Sequence, residues 1–353
     1  MFSQQEPIPI HHEAVRILVL GGSWFVGRAV VREALRRGEE VTLFNRGRSI
    51  DPPAGARLVR GDWERLEDLD RLAARGPWDV VVDVAGAVPV VVRNTARALS
   101  QAVGRYVFVS TISVYRDWPY QPVDETAAQW DGDPDFDPGT RHWDPDAYGP
   151  LKVGGELAIR REFGDSALFI RPHVILGPGE YVGRLPWWLK RVERGGAVLA
   201  PAPANRYIQP VDVRDVARFT LDLVTANATG AFNVATPIGR DTYGDLLQAC
   251  RDATGSTAEF VWVDEAWLAE RGVREWTEIP IWRTLPTAWA MNTDKARQAG
   301  LVCRPLRETV ADTWRWMREG GVPVAHERAA EHGMSAERES ELLRVWQDSR
   351  RGP

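Results

Sequence analysis

Sulfur is scarce in this chain. Two cysteines, Cys250 and Cys303, and four methionines among 353 residues cannot build a disulfide framework or a thiolate metal cluster, and they fit a reducing, cytoplasmic setting. Basic excess is missing as well. The 44 Lys and Arg stand against 49 Asp and Glu, a formal net charge of −5 with no cationic block. The electrostatic footprint of a nucleic-acid binder is therefore absent. No apolar run reaches the roughly 18 residues of a membrane-spanning helix. The opening MFSQQEPIPIHHEA lacks an apolar signal core, and its His11-His12 pair has no nearby ligand residues, so it reads as a flexible lead-in. The acidic loop around His142, Asp144 and Asp146 shows no metal spacing either, and no metal is expected.

Tryptophan is abundant. There are 16, concentrated from Trp187 onward, which suits a bulky core or an aromatic-lined cavity. The overall 44% hydrophobic and 26% charged composition is that of a globular α/β chain. From Arg16 short β-branched runs recur at Ile17–Leu20, Val41–Phe44, Arg57–Val59, Val80–Val84, Tyr106–Val109 and Leu168–Ile170. They are nearly continuous, as strands buried on both faces should be. Amphipathic stretches at Val26–Arg37, Leu66–Ala74, Val90–Val103 and Leu151–Phe163 supply the crossovers. This alternation predicts a Rossmann-type doubly wound parallel sheet with a smaller C-terminal substrate-binding lobe.

The expected division is a lead-in over 1–14, a dinucleotide-binding domain over 15–176 whose sheet is completed by about 205–235, a lobe over 177–204 and 236–324, and a helical tail over 325–353. Residues 116–146, rich in Asp, Pro and Trp, form a long strand-to-helix connection of the kind that carries function or moves. In the tail, Ser335 is placed to cap a helix whose apolar face is Leu342, Leu343 and Trp346, packing on the body or on a partner subunit.

Four places carry chemistry. The first is GGSWFVGR, where Gly21, Gly22 and Gly27 follow a strand and open a helix, so that backbone N–H groups around Ser23, Trp24, Phe25 and Val26 face a pyrophosphate. The second is the end of the second strand, Asn45-Arg46-Gly47-Arg48, which holds no acid to accept a ribose hydroxyl and offers two guanidinium groups, with Arg28 a third. Such groups match a 2′-phosphate, so NADP(H) is expected over NAD(H), which stays possible. Asp62 and the run Val84-Ala85-Gly86 lie where the adenine end would be. The third is the fifth strand's end, which presents Ser110, Thr111 and Ser113. The fourth is YGPLK, where Tyr148 and Lys152 share one helix face at i, i+4. An ammonium beside a phenol lowers the phenol's pKa, and such a tyrosine can exchange a proton with a substrate oxygen.

Together GGSWFVGR, STISVY, YGPLK and RPHVILGPG resemble the short-chain dehydrogenase/reductase superfamily, nearest its extended type, the NAD-dependent epimerase/dehydratase group, over about residues 15–320. The resemblance implies Tyr148 as acid/base, Lys152 as its pKa tuner and ribose ligand, Thr111 as the hydroxyl orienting the substrate, and Pro172 beside the nicotinamide. It places Ser113, His173, Arg184 and Arg206, with Trp187 and Trp188, toward the substrate, and it implies a possible homodimer. His173 reads equally as a satisfied structural histidine. Trp24 departs from the family's middle glycine and resembles an atypical branch in which some members are not catalytic and some bind RNA. Negative φ at Trp24, with its indole directed off the phosphates, would keep the loop competent. Ile112-Ser113 replaces the Asp-Glu that follows the threonine in sugar dehydratases, so dehydration is not expected. The implied activity is an NADP(H)-dependent oxidoreductase acting on a carbonyl or secondary alcohol of a small-molecule substrate. The alternatives are a sugar or nucleotide-sugar epimerase using the same residues, and a non-catalytic protein binding cofactor or RNA.

Overall fold

The computed structural model describes residues 14–47, 51–139 and 144–351. His11, His12, Arg48 and His142 lie outside the described residues. The RILVL run forms β1 (Arg16–Leu20), the middle of a sheet that continues through β2 (Glu40–Asn45), β3 (Arg57–Arg60), β4 (Trp78–Asp83), β5 (Val103–Val109), β6 (Ala167–Pro172) and β7 (Gly230–Val234). All seven strands are parallel, in spatial order 7-6-5-4-1-2-3. The order reverses between β1 and β4, and in such sheets ligands bind beyond the carboxyl ends of strands at that reversal.

Alternate side chains of each strand serve opposite faces. Ile17 and Val19 join Val41, Val80, Val107 and Val30 in one core, while Leu18 and Leu20 join Phe44, Val81, Tyr106 and Phe108 in the other. The first core is roofed by α1 (Phe25–Arg36) and a later helix, α6 (Val213–Thr225). The second is roofed by α2 (Leu66–Ala73), α3 (Pro89–Leu99) and α4 (Pro145–Phe163). Two boundaries differ from expectation. The third helix ends at Leu99 because Val103 is already paired with Trp78 as the first residue of β5. The fourth begins at Pro145, since the Asp144 carboxylate accepts the N–H groups of Asp146 and Ala147 and so caps the helix; Tyr148 therefore lies inside the first turn rather than before it.

Beyond β6 a third core forms around Trp188, Trp282, Trp289, Tyr243 and Leu246, using α5 (Arg184–Glu193), α7 (Tyr243–Thr254), α8 (Leu306–Arg318) and α9 (Ala336–Arg351). Tryptophan is thus mostly core here. The long connection after β5 is pinned to this region: the Trp118 indole donates to the Ala288 carbonyl at 3.1 Å and Val123 bridges to Met291. The tail helix packs on the body. Ser335 Oγ accepts from the Arg338 N–H, Leu342 and Leu343 are buried, and Trp346 meets Trp267 edge to face. Among the described residues no helix is long and apolar enough to cross a membrane.

Candidate active site

The carboxyl end of β1 turns through Gly21 (φ +97°) and Gly22 (φ +79°), backbone that a Cβ would strain. A Cβ at Gly27 would lie 2.6 Å from the Gly22 nitrogen, so the last glycine lets α1 seat against its own entry turn. Trp24 has φ −143° and ψ 160°, extended backbone open to any residue. The strain falls instead on Phe25, at φ +39°. The Trp24 indole packs on Tyr181 (4.7 Å between centroids) and His326 (5.9 Å).

Asn45 braces this loop. Its amide donates to the Gly21 carbonyl at 3.0 Å and to Ser23 Oγ at 2.9 Å, and its own oxygen accepts the Gly47 N–H. Arg28 is likewise engaged, donating to the carbonyls of Ser23 and Asp51, whereas Arg46 is exposed and stacks over Trp63 at 5.7 Å. Asp62 closes a local turn by accepting the Glu64 N–H. At the end of β4 the buried Asp83 carboxylate gathers the N–H groups of Ala85 and Gly86 and the Tyr106 hydroxyl, while the Val84 N–H donates to the Leu20 carbonyl.

Ser110 ends buried with no hydrogen-bond partner for its hydroxyl. Thr111 caps the short turn Ile112–Val114, its Oγ1 accepting the Ser113 N–H at 3.2 Å and bonding Ser113 Oγ at 3.4 Å. The Tyr148 phenol lies near Thr111, which helps to draw its pKa down. Gly149 makes this approach possible, because a Cβ there would collide with the Ser113 carbonyl. An orphaned hydroxyl, two glycines in left-handed conformation and a helix N-terminus at the sheet's reversal fit a dinucleotide's polar edge and pyrophosphate.

Lys152 departs from its expected role as tuner. Its ammonium donates to the carbonyls of Gly86 (2.8 Å) and Val109 (2.7 Å) and lies 3.9 Å over the Phe108 ring. It ties the β4 and β5 loops together instead of bonding the phenol. Burial pushes the ammonium down to about 8, against the pull of Asp83 and Glu156. Tyr148 is raised above the ordinary tyrosine range by burial, and the groups drawing it back are Arg328, the Thr111 hydrogen bond and Arg184. Arg328 comes from the C-terminal segment, far from any motif in the sequence.

Arg184 sits in the cleft with its charge felt at Tyr148, paired with Glu180 at 3.6 Å and 4.7 Å over the Trp276 ring, its Nε unpartnered. Arg283, another residue without a sequence signal, lies 4.6 Å over the same ring with its Nε also unpartnered. His173 follows the structural one of its two readings, and Arg206 departs from the substrate side. His173 accepts the Val174 N–H at Nδ1, reaches the Ala288 carbonyl through Nε2 at 2.7 Å and stacks on Trp289, so both nitrogens serve the core. Arg206 is ion-paired with Glu265 and donates to the Thr284 carbonyl at 2.7 Å, so its charge is already met. Pro172 ends β6 opposite Val234. Of the two tryptophans expected to face substrate, Trp188 is fully buried, with its indole N–H on the Pro280 carbonyl, and Trp187 covers Gly333.

A doubly wound sheet, a glycine turn at its reversal, and Thr111, Tyr148 and a buried Lys152 near its carboxyl edge are the layout of the short-chain dehydrogenase/reductase type. The chain belongs to the NAD dependent epimerase/dehydratase family, whose model matches residues 17–235, more than half of it. Its fold is shared with the enzyme WbmH of Bordetella bronchiseptica solved with NAD+ (20% identity, 87% of this chain and 100% of that one, TM-score 0.67). It is shared too with UDP-glucose 4-epimerase of Thermotoga maritima solved with UDP-glucose (20% identity, 86% and 99%, TM-score 0.63). Among curated proteins it is similar to the chloroplast stem-loop binding protein of 41 kDa b of Arabidopsis thaliana, 26% identical over 256 residues, 68% of this chain. The chain spans 63% of that relative's length.

Proposed function

We propose that this protein is an NADP(H)-dependent oxidoreductase acting on a carbonyl or secondary alcohol of a sugar-like, anionic small molecule. One observation carries the reading: the helix bearing Tyr148 packs so closely on the turn after β5 that a Cβ at Gly149 would collide with the Ser113 carbonyl, which brings the phenol to Thr111 near the sheet's reversal. Gly21, Gly22 and the first turn of α1 would hold the pyrophosphate, and Ser110 and Lys152 the nicotinamide riboside end. When bound, the nicotinamide gives or takes hydride. The chain's own residues handle the oxygen. Thr111 fixes it by hydrogen bond, and Tyr148 passes it the proton or removes it. Lys152, held by the Gly86 and Val109 carbonyls, keeps the two loops at fixed spacing and sits ready to meet a ribose hydroxyl. Arg184 and Arg283, both over Trp276, supply positive charge for a phosphate or carboxylate on the substrate.

Two features support NADP(H): the lack of an acid after β2 and the exposed Arg46. Binding isotherms for NADPH and NADH test this, with NADPH at least about tenfold tighter, the difference one phosphate–guanidinium contact makes. Equal affinities would refute the preference. The Thermotoga maritima neighbour, solved with UDP-glucose, favours a second reading as an epimerase. A reductase consumes NADPH stoichiometrically, whereas an epimerase retains its dinucleotide through turnover with no net absorbance change. The Arabidopsis thaliana relative is named for stem-loop binding, which supports a third reading. A stem-loop RNA bound tightly by both wild type and Tyr148→Phe, with no turnover by either, would establish that one instead.

A further inference from the structure

After α8 the chain continues through a short 3-10 turn, Glu327–Glu331, before α9 begins. Both ends of this passage are anchored, one against Trp24 of the glycine loop and the other against Thr277 and Trp187. At the start, the His326 ring lies 4.8 Å from Tyr181 and 5.9 Å from Trp24, while Trp24 and Tyr181 are 4.7 Å apart, so rings from three distant parts of the chain meet on the glycine loop. At the far end, Gly333 (φ +102°) donates to the Thr277 carbonyl at 2.8 Å and presses on the Trp187 indole with no room for a Cβ. The following helix is fixed to the lobe by Glu339, which bonds Arg191 at 2.5 Å and the Leu199 N–H at 3.1 Å.

The passage between is internally braced. The Arg328 N–H donates to His326 Nδ1 at 3.2 Å, and the Arg328 carbonyl meets His332 Nδ1 at 2.8 Å. The Arg328 Nε is buried, and its charge acts on Tyr148, Glu180 and Arg184. Ring contacts of the Trp24–His326 kind are individually worth about two- to tenfold in an equilibrium, enough to hold a segment shut and weak enough to release it.

We propose that residues 326–333 form a clasp over the active site, with Trp24 and Tyr181 as the latch for His326. The clasp lifts to admit dinucleotide or substrate. On closing, it completes the site by bringing Arg328 beside Tyr148 as a positioning residue. Trp24 then has a purpose of its own: the indole standing at the middle-glycine position is the surface the clasp grips. This rests on reading the cleft as the dinucleotide and Tyr148 site.

Stopped-flow binding of NADPH and NADH, followed by energy transfer from protein tryptophan, tests the clasp in the full-length chain. His326→Ala and Tyr181→Ala are expected to raise both association and dissociation rates by about two- to tenfold, the size of the ring contacts removed. Unchanged rates in both variants, with wild-type circular dichroism, overturn the clasp. Hydrogen exchange gives a readout that needs no ligand. His326→Ala should speed exchange of the amides of 326–333 by a similar factor while leaving those of α9 unchanged, and equal exchange in the two proteins overturns the proposal. If wild type binds neither dinucleotide, the reading of the site fails, and the exchange measurement alone decides the clasp. Arg328→Gln, with Arg328→Lys as its rescue, tests the last step. Gln should move the pH midpoint of substrate turnover upward and Lys restore it, whereas a midpoint indifferent to both substitutions refutes a role for Arg328 at Tyr148.

Discussion

Burial, with a smaller contribution from Tyr181, holds the Tyr148 phenol above its ordinary range. In the proposed chemistry the groups that draw this pKa back, Arg328, Thr111 and Arg184, govern its proton. Tyr148→Phe keeps the ring and its packing and removes only the proton path. Turnover should fall by about 10²–10⁴-fold, the usual worth of a positioned acid–base group, with the denaturant midpoint nearly unchanged. Steady-state kinetics on a substrate that wild type turns over, beside a urea melt, separates the two effects. Lys152 should behave differently. Lys152→Ala leaves the Gly86 and Val109 carbonyls without their donor. A loss of about 1–3 kcal/mol in unfolding free energy is expected along with lost activity, and a urea midpoint equal to wild type would contradict the bracing role. At this scale the sequence was readable where chemistry is local. Gly21, Gly22, Thr111, Tyr148 and the negative φ of Trp24 all follow from neighbours in the chain. Arg328 and Arg283 were not, because their claim on the site is made by contacts across long separations that leave no spacing to read.

The helix α4, which carries Tyr148 and Lys152, shows how an element can be legible in kind and misjudged in extent. The apolar positions of 151–163 announce a helix, but its cap lies at Asp144, beyond Pro150, a residue that ordinarily argues against helix interior. What holds α4 in register is a buried network invisible in the sequence. Glu156 pairs with Arg171 of β6 at 2.9 and 2.5 Å, Arg171 also donates to the Tyr115 hydroxyl, and that hydroxyl donates to Asn233 at 2.6 Å. The side chains of Arg171 and Glu156 are 1% and 2% exposed. Glu156→Ala strands a guanidinium in the core, and losing one partner of such a pair costs about 3–5 kcal/mol. A drop in unfolding free energy below about 1 kcal/mol in a chemical melt would mean that the pair is dispensable. The strands needed no such help. Their β-branched runs are buried on both faces by the doubly wound architecture, and that alone makes them stand out.

Across the whole molecule, the sheet was legible and the second lobe much less so. Its core is assembled from side chains of distant segments, such as Trp118 edge-on to His173 and His173 stacked on Trp289, rather than from any periodic pattern. That assembly has a consequence for stability against pH. His173 accepts an N–H at Nδ1, so its single proton sits on Nε2 and is donated to the Ala288 carbonyl. Burial pushes its pKa down from 6.5 to about 4, opposed by the Ala288 hydrogen bond and reinforced by smaller contributions from Arg283 and Arg184. Above pH 6.5 neither folded nor unfolded chain carries the extra proton. Between 6.5 and about 4 the unfolded chain takes it up and the folded chain refuses it, so stability falls as the pH falls through this window. His332, pushed down to about 4 by burial and then by Arg184, acts in the same direction. For His173 the full loss is about 3 kcal/mol. Thermal melts between pH 7 and pH 4.5 should show a falling midpoint before most carboxylates protonate. His173→Gln, neutral throughout, should start from a lower plateau and decline less steeply. A variant that declines as steeply as wild type would place the acid sensitivity elsewhere and remove His173 as the reason this lobe prefers neutral pH.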